Sequence, residues 1–144
     1  MTTNQATISE TTQEAVKAEN EQKMTRRDIF EFNLKEINAT SDARGQVIIN
    51  LKGKDVTLKN NPAAVGAFEK EFGSTLDADT SFAKNHANLE DMSRFLELVT
   101  ADGLSKEEIQ EGIIGKGYFY TLKAVGLWAL SISLTGTEEI SQGK

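Results

Sequence analysis

The chain of 144 residues contains no cysteine, one proline and one histidine. Without cysteine it forms neither disulfides nor thiolate metal sites, which fits a reducing compartment such as a cytoplasm. The single histidine, His86, cannot build a typical zinc site without cysteine partners. No serine, histidine and acid combine into a recognisable nucleophilic set. The sequence therefore predicts a non-enzymatic protein with no catalytic residues, no bound metal and no cofactor.

Basic residues are scarce in segment 74–112, where nine acids meet only three bases and account for the whole net charge of −6. An acidic surface repels phosphate backbones, so we do not expect nucleic acid as the main partner. We expect these acids to keep the protein soluble and to favour basic segments of a protein partner.

Apolar side chains are few in residues 1–24, which are rich in Thr, Glu, Gln and Asn and hold no aromatic residue. Such a segment cannot bury enough apolar surface to offset the entropy of ordering the chain. The sequence predicts a disordered N-terminal tail over residues 1–24, a single compact domain over 25–136 and a polar tail over 137–144. No secretory signal is recognisable at the N-terminus.

The domain is predicted to be mainly helical with one small β-hairpin, an α+β fold. Strand-forming residues on both sides of the turn Lys52-Gly53-Lys54-Asp55 predict the hairpin at about 45–59. Capping residues and apolar spacing predict helices that start after Thr25, after Asn61 and after Asn88, a fourth from Ser105 to about Gly112, and a last one over Tyr118–Leu134. Gly73 and Gly103 are predicted to end the second and third of these.

The glycine-rich stretch GIIGKGYFY covers residues 112–120. A Walker phosphate loop needs four residues between its glycines and a hydroxyl after the lysine, whereas two residues separate Gly112 from Gly115 and Gly117 follows Lys116. A KH-type RNA clamp has Gly-x-x-Gly between two helices, but here the usually polar middle holds two isoleucines. A KH-like module is kept as a remote alternative. We interpret Gly115 and Gly117 as the end of one helix, which lets the chain turn into the next.

The predicted last helix, Tyr118–Leu134, carries a single charge, Lys123. A helix that is apolar on most sides is buried, membrane-bound or covered by a partner. This one is short for a membrane span and would place Lys123 in the bilayer, so we expect no membrane association. Two interpretations are open, the central core helix of a small domain and a core helix with one side left for a partner, and the predicted function depends on the second.

Two faces of this helix are apolar. One face contains Tyr118, Leu122, Val125, Ala129 and Ile132, and the other contains Tyr120, Leu127 and Leu134 with Trp128 close by. Aromatic residues make good anchors for a partner helix. The predicted partner-binding residues are Tyr118, Phe119, Tyr120, Leu122 and Trp128.

The order of these parts resembles the tail assembly chaperones of long-tailed bacteriophages, including the gene-transfer-agent type. The similarity covers about residues 44–135. The residues that match are Leu51, Gly53, Val56 and Leu58 in the hairpin, Ala67, Phe68, Glu69, Phe72 and Gly73 in the helix after it, and Leu104, Ser105, Glu107, Glu108 and Ile109 later in the chain.

The resemblance implies a chaperone of the host cell cytoplasm that binds the tape-measure protein during tail assembly and is absent from the mature virion. The tail tube protein is a second expected partner, and self-association is open. The alternative is a small structural component of the virion, such as a neck or tail-completion protein.

The composition of residues 1–24 generates a first testable prediction. Backbone order parameters from ¹⁵N relaxation should lie below about 0.6 across this segment, since it lacks the apolar side chains that would fix it on the domain. Values above about 0.8 throughout the segment would show a rigid backbone and contradict the prediction.

Overall fold

A computed structural model describes residues 25–100 and 103–134, and this part of the chain combines six α-helices with a three-stranded antiparallel sheet. The predicted α+β class, mainly helical with a small sheet, is confirmed. The elements are α1 Arg26–Glu36, β1 Thr40–Ser41, β2 Val47–Leu51, β3 Lys54–Leu58, α2 Pro62–Phe72, a 3₁₀ turn Thr75–Asp77, α3 Ala78–Asn85, α4 Leu89–Val99, α5 Lys106–Lys116 and α6 Tyr118–Leu134. The predicted tails, 1–24 and 137–144, lie outside the described residues.

The predicted hairpin forms from β2 and β3, but its turn is tighter than the sequence indicated. Only Lys52 and Gly53 form the loop, with φ of 54° and 78°. Positive φ at both central residues is the geometry of a type I′ turn, whose twist matches that of the two strands. Lys54 and Asp55, predicted to belong to the turn, are the first residues of β3, and Lys54 pairs with Leu51.

The sequence did not indicate the third strand, β1, which pairs antiparallel with β2 through Thr40 opposite Ile48 and Ser41 opposite Val47. A strand of two residues is too short to show an alternating pattern. The sheet order is β1-β2-β3, so β2 lies in the centre.

Side-chain caps start four helices where the sequence predicted them. Thr25 and Asp28 exchange two hydrogen bonds of 3.0 Å at the start of α1, and Ser105 and Glu108 form the same capping box at the start of α5. The side chains of Asn61 and Asn88 accept backbone N–H bonds at the starts of α2 and α4.

Helix α4 ends at Val99 rather than near Gly103, so that predicted end is wrong. The Lys59 N–H donates to the Val99 carbonyl at 2.7 Å, and Thr100 pairs with Leu58 in an isolated β-bridge. Thr100 adopts an extended conformation with ψ of 152°. The pairing with the end of β3 therefore draws the chain out of the helix.

The glycines of residues 112–120 have three different structural roles. Helix α5 continues through Gly115 to Lys116, so its predicted end near Gly112 and the assignment of Gly115 to the helix end are both wrong, and Gly112 and Gly115 lie inside one helix. Gly117 ends the helix with φ of 95°, and its N–H donates to the Ile113 carbonyl at 2.7 Å. Gly112 lets α5 approach β2, since a methyl group there would come within 2.9 Å of Leu51 Cβ. This geometry does not form the loop between helices that a KH clamp requires.

Helix α6 lies at the centre of the domain and packs against α1, α3, α4, α5 and β2. Its residue Trp128 is fully buried, with ring centroids 4.8 Å from Phe68 and 5.4 Å from Phe95. The Trp128 Nε1–H donates to the Lys59 carbonyl at 2.7 Å, which satisfies its only polar group. Tyr120, Leu127 and Leu134 are buried on the same helix. The second apolar face predicted for α6 is therefore a core face.

The two glycines at the end of α5 provide a matched pair for a stability test. Gly117→Ala should lower the free energy of unfolding by about 1 kcal/mol, because a Cβ is strained at positive φ. Gly115→Ala should be neutral or stabilising by up to about 1 kcal/mol, because this residue is helical and no atom lies near the added methyl group. Equal unfolding free energies in denaturant titrations of the two variants would contradict the assignment of Gly117 as the cap.

Candidate partner-binding groove

An open, largely apolar groove of about 630 Å³ runs along the side of α6 that faces away from Trp128. Helices α1 and α3 both pack on α6 and form the walls, through Ile29 and Asn33 on one side and through Ala83, with Thr75 and Leu76 of the 3₁₀ turn, on the other. The floor comes from α6, chiefly Phe119, Leu122, Gly126, Ala129, Leu130 and Ser133.

The floor residues recur at the i, i+3, i+4 and i+7 spacing of one helix face. Three floor residues, Gly126, Ala129 and Ser133, are small, so they fill little of the groove. From Phe119 to Ser133 the stripe is about 21 Å long, or roughly four helical turns. The groove thus has the length and spacing of a helix–helix contact from which one helix is missing.

Three large apolar side chains stand exposed around the groove. Leu76 is 93% exposed, Phe119 68% and Ile29 42%. Asn33, in the wall formed by α1, is half-buried, and its side chain makes no hydrogen bond to the residues that the structure describes. An apolar surface of this kind, with few polar groups, is typical of a protein-binding site.

Charges are confined to one end of the groove. Lys123 Nζ lies 2.9 Å from Glu36 Oε1 and 5.5 Å from the centroid of the Phe119 ring. Beyond Phe119 lies a smaller, more polar cavity of about 320 Å³, to which Lys116 and Asn38 contribute. Phe119 lines both spaces, so its ring separates them.

The structure places the five predicted partner-binding residues in different environments. Phe119 and Leu122 line the groove, and Tyr118 is 42% exposed but does not contribute to it. Trp128 is fully buried in the core, so its predicted contact with a partner is corrected to a core contact. Tyr120 is also buried, and its hydroxyl accepts a hydrogen bond of 3.0 Å from the Asn50 backbone N–H, but this residue lines the smaller cavity beyond Phe119.

The groove face of α6 is rotated relative to the first of the two predicted apolar faces. Leu122, Ala129 and Ile132 are common to both, whereas Val125 is fully buried. Sequence analysis also missed the walls, which come from parts of the chain far from α6. The one available signal was Ile29, which lies off the face of α1 that carries Phe30 and Leu34 into the core.

None of the acidic side chains of segment 74–112 that the structure describes lines the groove. Several of them form ion pairs with bases of other elements, including Glu90 with Lys106 at 2.8 Å and Glu108 with Lys54 at 3.2 Å. The expectation that these acids favour basic partner segments therefore does not apply to the groove.

His86 joins a structural cluster at the start of α4. Its Nδ1 lies 2.8 Å from Asp91 Oδ2, and its ring packs 5.0 Å from Phe72 and 5.3 Å from Phe82. The hydrogen bond with His86, and a second one from Asn88, hold the pKa of Asp91 below its usual value. The described residues include no group of three or more side chains suited to a metal ion, and none of their helices is long and apolar enough to cross a membrane.

No family model matches this chain, and neither the curated proteins nor the solved structures include one that is similar to it. The resemblance to tail assembly chaperones therefore stays a prediction.

The His86–Asp91 contact generates a pH prediction. Because the pKa of Asp91 is lower in the folded than in the unfolded protein, its contribution to stability is complete above about pH 5 and is lost as the pH falls below the ordinary aspartate pKa and through the lowered pKa of the folded state. Asp91→Asn should therefore flatten the decline of unfolding free energy between about pH 5 and 3, measured by denaturant titration. The matched change Asp55→Asn, at an exposed carboxylate of β3, should leave that decline in place. Identical pH profiles for Asp91→Asn and the unmodified protein would contradict this assignment.

Proposed function

We propose that this protein is a non-catalytic binding protein that holds an amphipathic helix of a partner protein in the groove on α6. The observation that carries this proposal is the mostly half-buried stripe of α6 from Phe119 to Ser133, which lines an open groove between α1 and α3. An apolar surface in contact with water is unfavourable, and a helix with its own apolar face is the element that fits a groove of this shape.

The groove suits a helix better than a small molecule. Pockets for small ligands enclose most of the ligand surface, whereas this groove is open along about four helical turns. Its floor has small residues at Gly126 and Ala129, which let another helix approach to the usual 8–10 Å between axes. Ile29 and Leu76 stand at the two walls, where they would cover the sides of that helix.

The sequence resemblance suggests the identity of the partner. Tail assembly chaperones bind the tape-measure protein, a long helical chain whose apolar faces aggregate if they are left uncovered. A groove that covers one amphipathic segment at a time would keep such a chain soluble. In this proposal the protein acts in the host cell cytoplasm and leaves before the virion is complete, and the tail tube protein is a second partner.

A second candidate function is a structural component of the virion. Phe32 and Ile114 are 59% and 64% exposed outside the groove, and additional apolar surface favours a permanent interface. Mass spectrometry of purified virions separates the two functions, since a chaperone should be missing from them.

The proposal predicts a selective loss of client binding. Phe119→Ser and Leu76→Ser should each weaken binding of the tape-measure protein by about 2 kcal/mol, roughly thirtyfold, because each removes a large exposed side chain from the groove. In co-expression, both changes should lower the yield of soluble tape-measure protein. Phe32→Ser is the matched control, since Phe32 is also an exposed phenylalanine but does not line the groove.

Circular dichroism must show that all three variants remain folded. If Phe32→Ser lowers the soluble yield as much as Phe119→Ser does, the groove is not the client site. If none of the variants changes the yield, the surface that binds the client lies elsewhere.

A further inference from the structure

We infer that the partner helix lies antiparallel to α6, with its C-terminal turn over the end of the groove at Phe119. This inference rests on the proposed function, since it specifies how a partner helix occupies that groove. It follows from the direction of α6 and from the position of two lysines.

The Phe119 end of the groove is the N-terminal end of α6, which begins at Tyr118. The last turn of α1 lies at the same end, because Glu36 pairs with Lys123 at 2.9 Å. Ile29, nearer the start of α1, lines the groove as well, so α1 follows its wall from the Phe119 end.

Positive charge is concentrated at the Phe119 end. Lys123 is balanced by Glu36, but Lys116 forms no ion pair with the described residues, and its Nζ rests 5.0 Å from the centroid of the Tyr120 ring. Lys116 lines the smaller cavity that adjoins the groove at Phe119. No charged side chain lines the groove at the opposite end, near Leu130 and Ser133.

The ends of any helix differ in charge. The last turn exposes carbonyl groups without partners and carries a partial negative charge, and the first turn carries a partial positive charge. Helices α1 and α5 also end here, so their carbonyl ends offset the N-terminal end of α6, and Lys116 is the group that attracts a negative charge. An antiparallel partner places its negative end against Lys116. A parallel partner would place its positive end there instead, which is unfavourable.

This orientation defines the kind of partner segment that the groove selects. It should have apolar residues at helical spacing over about four turns, followed by an Asp, a Glu or a free carboxylate at its C-terminal end. The smaller cavity receives that acidic end against the Lys116 ammonium, and Glu36, which also lines the cavity, is paired with Lys123.

Paramagnetic labelling tests the orientation, and a chain without cysteine adds no competing attachment site. The probes are 20-residue peptides that tile the tape-measure protein, of which the tightest binder carries a nitroxide at either its N-terminus or its C-terminus. The full-length protein, labelled with ¹⁵N, reports the effect. The C-terminal label should broaden the amide signals of residues 116–123, and the N-terminal label those of residues 130–134.

Each other outcome has a distinct meaning. The reverse pattern, or broadening of both regions by both labels, overturns the antiparallel orientation while binding in the groove stands. If no peptide shifts any groove signal, the proposed function fails and this inference falls with it.

A charge variant gives an independent measurement. Lys116→Gln should weaken the same peptide about threefold when its C-terminus is a free carboxylate, and less when it is amidated. Lys35→Gln is the matched control, because Lys35 is exposed near the end of α1 and lines neither cavity. An equal loss in both variants would trace the effect to net charge alone and overturn the role of Lys116.

Discussion

A single indole, that of Trp128, determines how the last helix sits in this domain. Its N–H donates to the Lys59 carbonyl just after β3, and its ring lies against Phe68 of α2 and Phe95 of α4. Since an unpaired buried N–H is costly, α6 cannot rotate about its own axis without losing both the hydrogen bond and the ring contacts. With that rotation fixed, the opposite face of α6, with Phe119, Leu122, Gly126 and Ala129, lines the groove between α1 and α3. The groove is thus a consequence of how the core is packed.

Features that depend on neighbouring residues could be predicted from the sequence, and features that depend on distant ones could not. The caps at Thr25 and Ser105 act within three residues, so their side chains indicate them directly. The end of α4 depends on a hydrogen bond from Lys59, 40 residues earlier than Val99 by sequence number. Gly112 is required by Leu51, which sequence spacing does not connect to it.

The same distinction applies to the candidate site. The bounds of α6 and the contribution of Phe119 and Leu122 could be predicted, because the segment is apolar and begins after a glycine. The face of α6 that turns inward could not be predicted, because a helix that is apolar on most sides has no single preferred face. The hydrogen bond from the Trp128 indole to the Lys59 carbonyl determines which face turns inward, and no local sequence pattern indicates that contact. The walls could not be predicted either, because Ile29 and Leu76 come together around α6 only when the chain has folded.

The central position of α6 also sets the order in which this protein matures on the ribosome. Of the elements that the structure describes, α6 is the last to be synthesised, and yet α1, α3, α4, α5 and β2 all pack against it. Until Tyr118–Leu134 has emerged, the inner faces of those elements have nothing to cover them. The domain therefore cannot close before α6 has left the ribosome, and until then the nascent chain exposes apolar surface that makes it prone to aggregate.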